Sequence, residues 1–295
     1  MSAVVSRSES VRTCLAWNDL LNAPFNPGHL PASARARGTL RARFSRAGAR
    51  SCLSDLFEAG GLRLRFPRNA QSCEAVIVNT GGGVIGGDSA ILSFAADAGA
   101  DVTLTTQAAE KIYRAQNIPA QIALDLTAAE GARLEWLPQE TILFDGAKLT
   151  RTFSLDMHNS ARVTLLEATV FGRLAMGEHS ITGHLCDRWR LRRDGRLVFA
   201  EDLRLTGEIG SMLDRQSCGA GARATALLLH IAPDAEALLE PVRESLASAT
   251  CEAGASAWNG LLAIRLLSPA PETMRAALKP LLDILRGRPA PRVWQ

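Results

Sequence analysis

Hydrophobic and polar residues alternate through much of the first two-thirds of the chain. Thr39-Leu40-Arg41-Ala42-Arg43-Phe44 and Leu62-Arg63-Leu64-Arg65-Phe66 put an apolar residue at every second position. That is the period of a strand with one buried and one wet face. Ala75 to Val78, Ala90 to Ala95 and Val102 to Thr106 are short apolar runs of strand length. Three segments look alike: Gly99-Ala100-Asp101-Val102-Thr103-Leu104, Gly131-Ala132-Arg133-Leu134-Glu135-Trp136 and Ser160-Ala161-Arg162-Val163-Thr164-Leu165. Each follows a polar turn, and Ala100, Ala132 and Ala161 are spaced by 32 and 29 residues. Strands recurring at such a period stack as layers that bury one another's apolar face; chance similarity in an Ala-rich β protein is the other reading. Asp145-Gly146 and Asp194-Gly195 read as hairpin turns. For the second, the pattern pairs Arg188–Leu191 with Leu197–Ala200 and predicts a largely antiparallel middle.

The period changes after Ala232. Pro233-Asp234-Ala235-Glu236 opens a helical pattern through Leu238, Leu239, Val242 and Leu246, with a kink expected at Pro241. Leu261 to Leu267 reads as a strand. A second helix starts at Pro271-Glu272, carries Met274, Leu278, Leu281, Leu282 and Leu285 on one face, and stops at Gly287. The resulting fold class is mainly β, with stacked, solenoid-like antiparallel and mixed strands and two C-terminal α-helices. The divisions are a loosely ordered N-terminal arm (1–36), a mainly β body (37–232), a helix-strand-helix part packed on it (233–287) and a Pro-rich tail (288–295). Trp17, Leu20 and Leu21 are candidate anchors for the arm, and Trp294 for the tail.

Composition narrows the function classes. With 295 residues and 47% apolar content the chain can bury a large core. A net charge of +3 gives no argument for nucleic acid. All but three of the 33 basic residues are arginine, the exceptions being Lys111, Lys148 and Lys279. Such a bias follows from base composition, or suits surfaces that make forked contacts with carboxylates. The first twenty residues hold no apolar signal core and no run has membrane-span length, so a cytoplasmic chain is expected. The six cysteines lie at least 21 positions apart, which excludes a CxxC zinc or redox motif.

Candidate chemistry is sparse. Gly81, Gly83 and Gly86 satisfy G-x-G-x-x-G after a strand, but Ala90 to Phe94 is too short for the helix that must hold a pyrophosphate. The loop reads instead as a tight crossing where only glycine fits. There is no P-loop lysine and no G-x-S-x-G elbow. His230 sits in an apolar run and His158 in a turn. His184 and Cys186 share one face of a strand beside Glu178-His179, a donor set that suits nickel or zinc, although scattered hairpin residues read the same way.

Several blocks resemble the UreD (UreH) family of urease accessory proteins. They are Asn79-Thr80-Gly81-Gly82-Gly83-Val84-Ile85-Gly86-Gly87-Asp88; Thr105-Thr106-Gln107-Ala108-Ala109-Glu110-Lys111-Ile112-Tyr113-Arg114; Leu134-Glu135-Trp136-Leu137-Pro138-Gln139-Glu140 with Ile142 and Phe144; Gly172-Arg173 and Gly177-Glu178; and Pro291-Arg292-Val293-Trp294. They cover about Leu62 to Gln295 in the family's order. The resemblance implies a non-enzymatic scaffold that binds UreF, through it the nickel-carrying GTPase UreG, and also the urease apoprotein. GTP would belong to UreG, no cofactor would be tightly bound, and nickel would pass transiently. Asp88, Glu140, Asp145 and Glu178, in or beside these blocks, are the candidate lining of a nickel path. Thr80, Gly82, Gly86, Gly87, Thr105, Thr106, Lys111, Tyr113, Arg114, Glu135, Trp136, Pro138, Arg173, Arg292 and Trp294 are candidate structural or interface positions. A scaffold would expose an apolar partner surface, for which the Leu278, Leu281, Leu285 face and the Trp294 tail are candidates, burial of both in the core being the other reading. The alternatives are a nucleotide-dependent oxidoreductase using the Gly81–Gly87 loop and a β-solenoid carbohydrate-binding protein; the 5% aromatic content counts against the latter.

Overall fold

The computed structural model describes residues 35–67 and 73–294. The expected N-terminal arm and its anchors Trp17, Leu20 and Leu21 lie outside the described residues. A compact unit spans Ala36–Gln295.

A hairpin, β1 (Arg37–Ala47) and β2 (Arg50–Ala59), leads into β3 (Leu62–Arg65) and β4 (Cys73–Asn79). The chain then winds between two facing sheets. Strands β5 (Ser89–Ala96), β8 (Ala120–Ala128), β11 (Ala147–Met157) and β13 (Thr182–Arg193) stack in parallel in one sheet. Strands β4, β6 (Asp101–Thr106), β9 (Arg133–Trp136) and β12 (Arg162–Phe171) stack in parallel in the other. Short strands β7 (Glu110–Ile112) and β10 (Thr141–Leu143) lie in the return connections and pair beside the end of β12. The β14 strand (Arg196–Glu208) closes the first sheet against β13, and a short helix α1 (Ile209–Asp214) follows. Antiparallel β15 (Ala224–Ile231), β16 (Glu252–Trp258) and β17 (Leu261–Ser268) extend the second. Helices α2 (Leu239–Ala247) and α3 (Pro271–Arg286) cover its outer face. Among the described residues no helix is long and apolar enough to cross a membrane.

The internal similarity is a structural repeat. Ala100, Ala132 and Ala161 are the fourth residues of three stacked turns, closed by Ala100 N–H to the Asp97 carbonyl (2.9 Å), Ala132 to Ala129 (3.0 Å) and Ala161 to His158 (3.0 Å). Each turn bonds to the next, with Arg133 N–H on the Ala100 carbonyl (2.7 Å) and Arg162 N–H on Ala132 (2.8 Å). All three alanines are buried, because a larger side chain would hold the layers apart.

The strands' alternation decides what is buried. In β11, Leu149, Phe153, Leu155 and Met157 point between the sheets, where Phe153 stacks on Trp189 at 4.1 Å. The β12 strand is buried on both faces, against the first sheet through Val163 and Leu165 and against the helices through Leu166, Ala168 and Val170. A two-sided strand reads as a continuous apolar run.

Four expectations need correction. The central strands pair in parallel, because Asp145-Gly146 turns the chain from one sheet to the other instead of closing a hairpin. Asp194-Gly195 does close one, with both residues at positive φ (49° and 75°), but a bulge at Leu191/Arg192 shifts the register so that Leu191 faces Phe199. Pro241 does not kink a helix; it lies in the first turn of α2, where its missing N–H has no intrahelical partner to lose, and a 3₁₀ turn, Ala235–Leu238, precedes it. The Leu278, Leu281, Leu285 face and Trp294 are core, all under 4% exposed. Gly287, at φ 60°, ends α3 as the pattern predicts.

Candidate functional site

The repeated turns occupy one end of the stack. The return connections, residues 80–88, 107–119, 137–146 and 172–181, occupy the other. The first three each send one apolar residue inward, and Val84, Ile112 and Leu143 form a buried column with Phe171 at the end of β12. Backbone bonds tie the layers: Val84 N–H to the Lys111 carbonyl (2.8 Å), Phe144 to Ile112 (3.0 Å) and Gly172 to Leu143 (2.8 Å). Tyr113 meets Phe144 edge-on at 5.0 Å, and the Arg173 guanidinium lies over Phe144 at 4.6 Å. The Tyr113 hydroxyl donates to the Gly82 carbonyl (3.1 Å). Blocks far apart in sequence thus share one surface.

Within the glycine loop, Gly86 has no room for a side chain: a Cβ there would strike Ala115 and lie 2.6 Å from the Ile118 carbonyl oxygen. Gly82 has room but sits at φ 72°. The loop continues into β5, a strand, so no helix N-terminus is present to hold a pyrophosphate.

The four candidate carboxylates occupy distinct settings. Asp88 caps its own loop, accepting from the N–H of Ile85 (2.9 Å) and of Ala36 (2.8 Å). Asp145 accepts from the N–H and hydroxyl of Thr182 (2.9 and 3.0 Å) and pairs with Arg114. The Thr182 N–H, with these further donors, holds its carboxyl below the usual range. Glu178 accepts from Arg173 three times, from the backbone N–H (2.9 Å), Nε (3.1 Å) and Nη2 (3.0 Å), and is likewise held low. Its neighbour is the backbone of Asp145, so these two acids belong to one cluster. Glu140 pairs with Arg275 (2.9 Å), which also holds Gln139 (2.8 Å) and stacks on Trp294. In each ion pair the arginine is the more exposed partner: 70% against 29% for Arg114–Asp145, 46% against 14% for Arg173–Glu178 and 26% against 13% for Arg275–Glu140. The surface therefore presents guanidinium groups with carboxylates behind them.

Between β10, β12 and the first turn of α3 lies a cleft of about 490 Å³. Ile142, Phe144, Val170 and Leu174 supply its apolar lining, and Lys111, Glu140, Arg173, Glu272 and Arg275 its charges.

Other singled-out residues hold the fold together. Thr105 donates to the Leu137 carbonyl (2.6 Å), as does the Trp294 indole (3.0 Å), and Thr106 Oγ1 accepts from Gln139 N–H (2.8 Å). Thr80 donates to Gly61 (3.0 Å), and Gly87 N–H to Pro119 (3.3 Å). Glu135 is fully buried and receives Thr103 (2.6 Å), Arg286 (3.0 Å) and Arg288 (3.1 Å). Burial pushes its carboxyl up, but Arg286 and Arg288 outweigh that and hold it low. His184 bonds Thr206 (3.0 Å) on the outer face of β13, and among the described residues no three of His, Cys, Asp and Glu gather as a metal-holding group.

Sequence reasoning missed a buried ion cluster between the sheets. Arg151 of β11 binds Asp187 of β13 through Nε (3.1 Å) and Nη2 (2.5 Å) and pairs with Glu167 of β12; Trp136 donates to Glu167 (2.8 Å). Burial dominates at Glu167 and raises its carboxyl despite Arg151. The available signal was register: Arg151 falls between inward-facing Leu149 and Phe153, and Asp187 between Leu185 and Trp189.

A family model described as UreD urease accessory protein matches residues 36–295. The chain is 51% identical over 260 residues to Urease accessory protein UreD of Xanthobacter autotrophicus, covering 88% of this chain and 90% of that relative. It is 46% identical over 265 residues to the protein of the same name from Azorhizobium caulinodans, covering 90% and 98%. A third, from a Methylobacterium strain, is 49% identical over 255 residues, covering 84% and 90%.

Proposed function

The chain belongs to the UreD urease accessory protein family, and from that premise we propose that it is a cytoplasmic, non-catalytic scaffold of urease maturation. It holds UreF, through UreF the GTPase UreG, and the urease apoprotein together while nickel passes to the enzyme. Nickel is cargo, and GTP belongs to UreG. The observation that supports this reading is the convergence of the return connections on one end of the stack. Their exposed groups include the tips of Arg114 and Arg173, beside the half-buried rings of Tyr113 and Phe144, and arginine and aromatic side chains are enriched at protein interfaces.

Transient nickel contacts are assigned to Glu140, Asp145 and Glu178. A carboxylate already paired with arginine attracts a dication only weakly, which suits passage better than storage. Asp88 is the least available of the four, because both of its oxygens cap the glycine loop.

Co-purification tests the scaffold. The tagged chain, co-expressed with its accessory partners and apo-urease, is expected to recover all of them in one complex and to bind neither GTP nor NADH by itself. Recovery of the chain alone, or micromolar nucleotide binding by the isolated chain, contradicts the reading.

A further inference from the structure

We propose that the cleft between β10, β12 and the first turn of α3 is the docking groove for a protein segment that combines aliphatic side chains with at least one carboxylate. This rests on the scaffold reading and adds the chemistry of the partner. Its volume, about 490 Å³, falls among sites that bury a small ligand or a few side chains, roughly 300–1,000 Å³. Ile142, Phe144, Val170 and Leu174 make the lining apolar, so aliphatic groups gain by entering. Met176, 77% exposed on the adjoining 3₁₀ turn, extends that apolar surface beyond the lip.

The rim decides the charge of the occupant. Lys111 is exposed and makes no ion pair or side-chain hydrogen bond among the described residues. Arg173 lies over Phe144 and gives Nε and Nη2 to Glu178, which leaves its Nη1 side open. The acids that neutralise Arg173 and Arg275 lie behind them, 14% and 13% exposed. An incoming carboxylate therefore meets donors before it meets acids, and a fixed guanidinium is a better carboxylate receptor than a mobile one. Glu272, exposed on the helix side of the cleft, repels an acid there and directs it towards Lys111 and Arg173.

The test uses the full chain co-expressed with its accessory partners and apo-urease. A photo-crosslinking residue, p-benzoylphenylalanine, replaces Met176, and the crosslinked peptide is identified by mass spectrometry. In parallel, complexes are quantified with Lys111→Glu alone and with Lys111→Glu plus Leu174→Asp. The expected result is a crosslink to one partner segment that carries Asp or Glu beside aliphatic residues. Complex recovery should fall at least tenfold in the double variant and be restored when that acid is exchanged for lysine. Circular dichroism checks the fold, and Lys111→Glu, at an exposed side chain that makes no ion pair or hydrogen bond among the described residues, keeps the test valid if Leu174→Asp misfolds. Normal recovery of complexes by both variants, or a crosslinked segment without an acid, overturns the groove while leaving the scaffold intact. If the native chain recovers no partner, the scaffold reading fails as well.

Discussion

His230 combines a hydrogen bond with almost complete burial. Its Nδ1 meets the Thr164 hydroxyl at 2.9 Å, its Nε2 has no partner among the described residues, and burial lowers its pKa from 6.5 to about 4. In that window the unfolded chain binds a proton that the folded chain refuses. Stability is therefore full above about pH 6.5 and falls as the pH drops towards 4, by up to about 3 kcal/mol. Urea unfolding at pH 7, 6 and 5 should show this slope, and His230→Asn should flatten it. Gly86 and Gly82 are predicted to differ for steric reasons. Gly86→Val drives a side chain into Ala115 and the Ile118 carbonyl and should cost about 3 kcal/mol or more. Gly82→Ala meets nothing within 4 Å and should cost about 1 kcal/mol, from positive φ alone. Equal unfolding midpoints for the two variants would count against this geometry. The run of glycines was legible in the sequence; which one is held by contact and which by φ was not, since that depends on a connection some thirty residues away.

The α3 helix and the tail after it act as one element. Met274, Leu278, Leu281, Leu282 and Leu285 bury one face of the helix, and Trp294 closes over the second sheet with its indole on Leu137. The helix was legible from its period, and the docked Trp294 from an aromatic next to a Pro-rich stop. What the element docks against was not, because Glu135, Asp101 and Arg133 lie more than 150 positions upstream of Arg286 and Arg288. Glu135→Gln leaves the buried Arg286 without its compensating charge and should cost about 3–5 kcal/mol. Arg288→Gln breaks the partly exposed pair with Asp101 and removes one of the two cations on Glu135, which keeps Arg286, so it should cost less, about 1–2 kcal/mol. Denaturant midpoints will rank them, and a smaller loss for Glu135→Gln than for Arg288→Gln would contradict the assignment of Glu135 as the tail's anchor.

At the scale of the molecule, the stacked architecture was legible where its signal is local. The three turns before Ala100, Ala132 and Ala161 repeat visibly, and each is closed by its own backbone bond. The parallel pairing was not legible, because Asp145-Gly146 and Asp194-Gly195 are the same dipeptide. Only the first has its aspartate bonded to Thr182 of the next layer. The candidate acids could be named from the sequence, but not which arginine covers Glu140, Asp145 and Glu178. Those arginines set the next prediction: Asp145→Asn with Glu178→Gln should leave complexes assembled and lower nickel delivery, the double variant more than either single one. The most direct measurement is the nickel content of urease purified from cells that make the enzyme with its other accessory proteins, with this chain native, doubly substituted or deleted. Loaded urease is expected with the native chain, partial loading with the double variant and nickel near background without the chain. Fully loaded urease in the absence of the chain would rule out a role in nickel delivery.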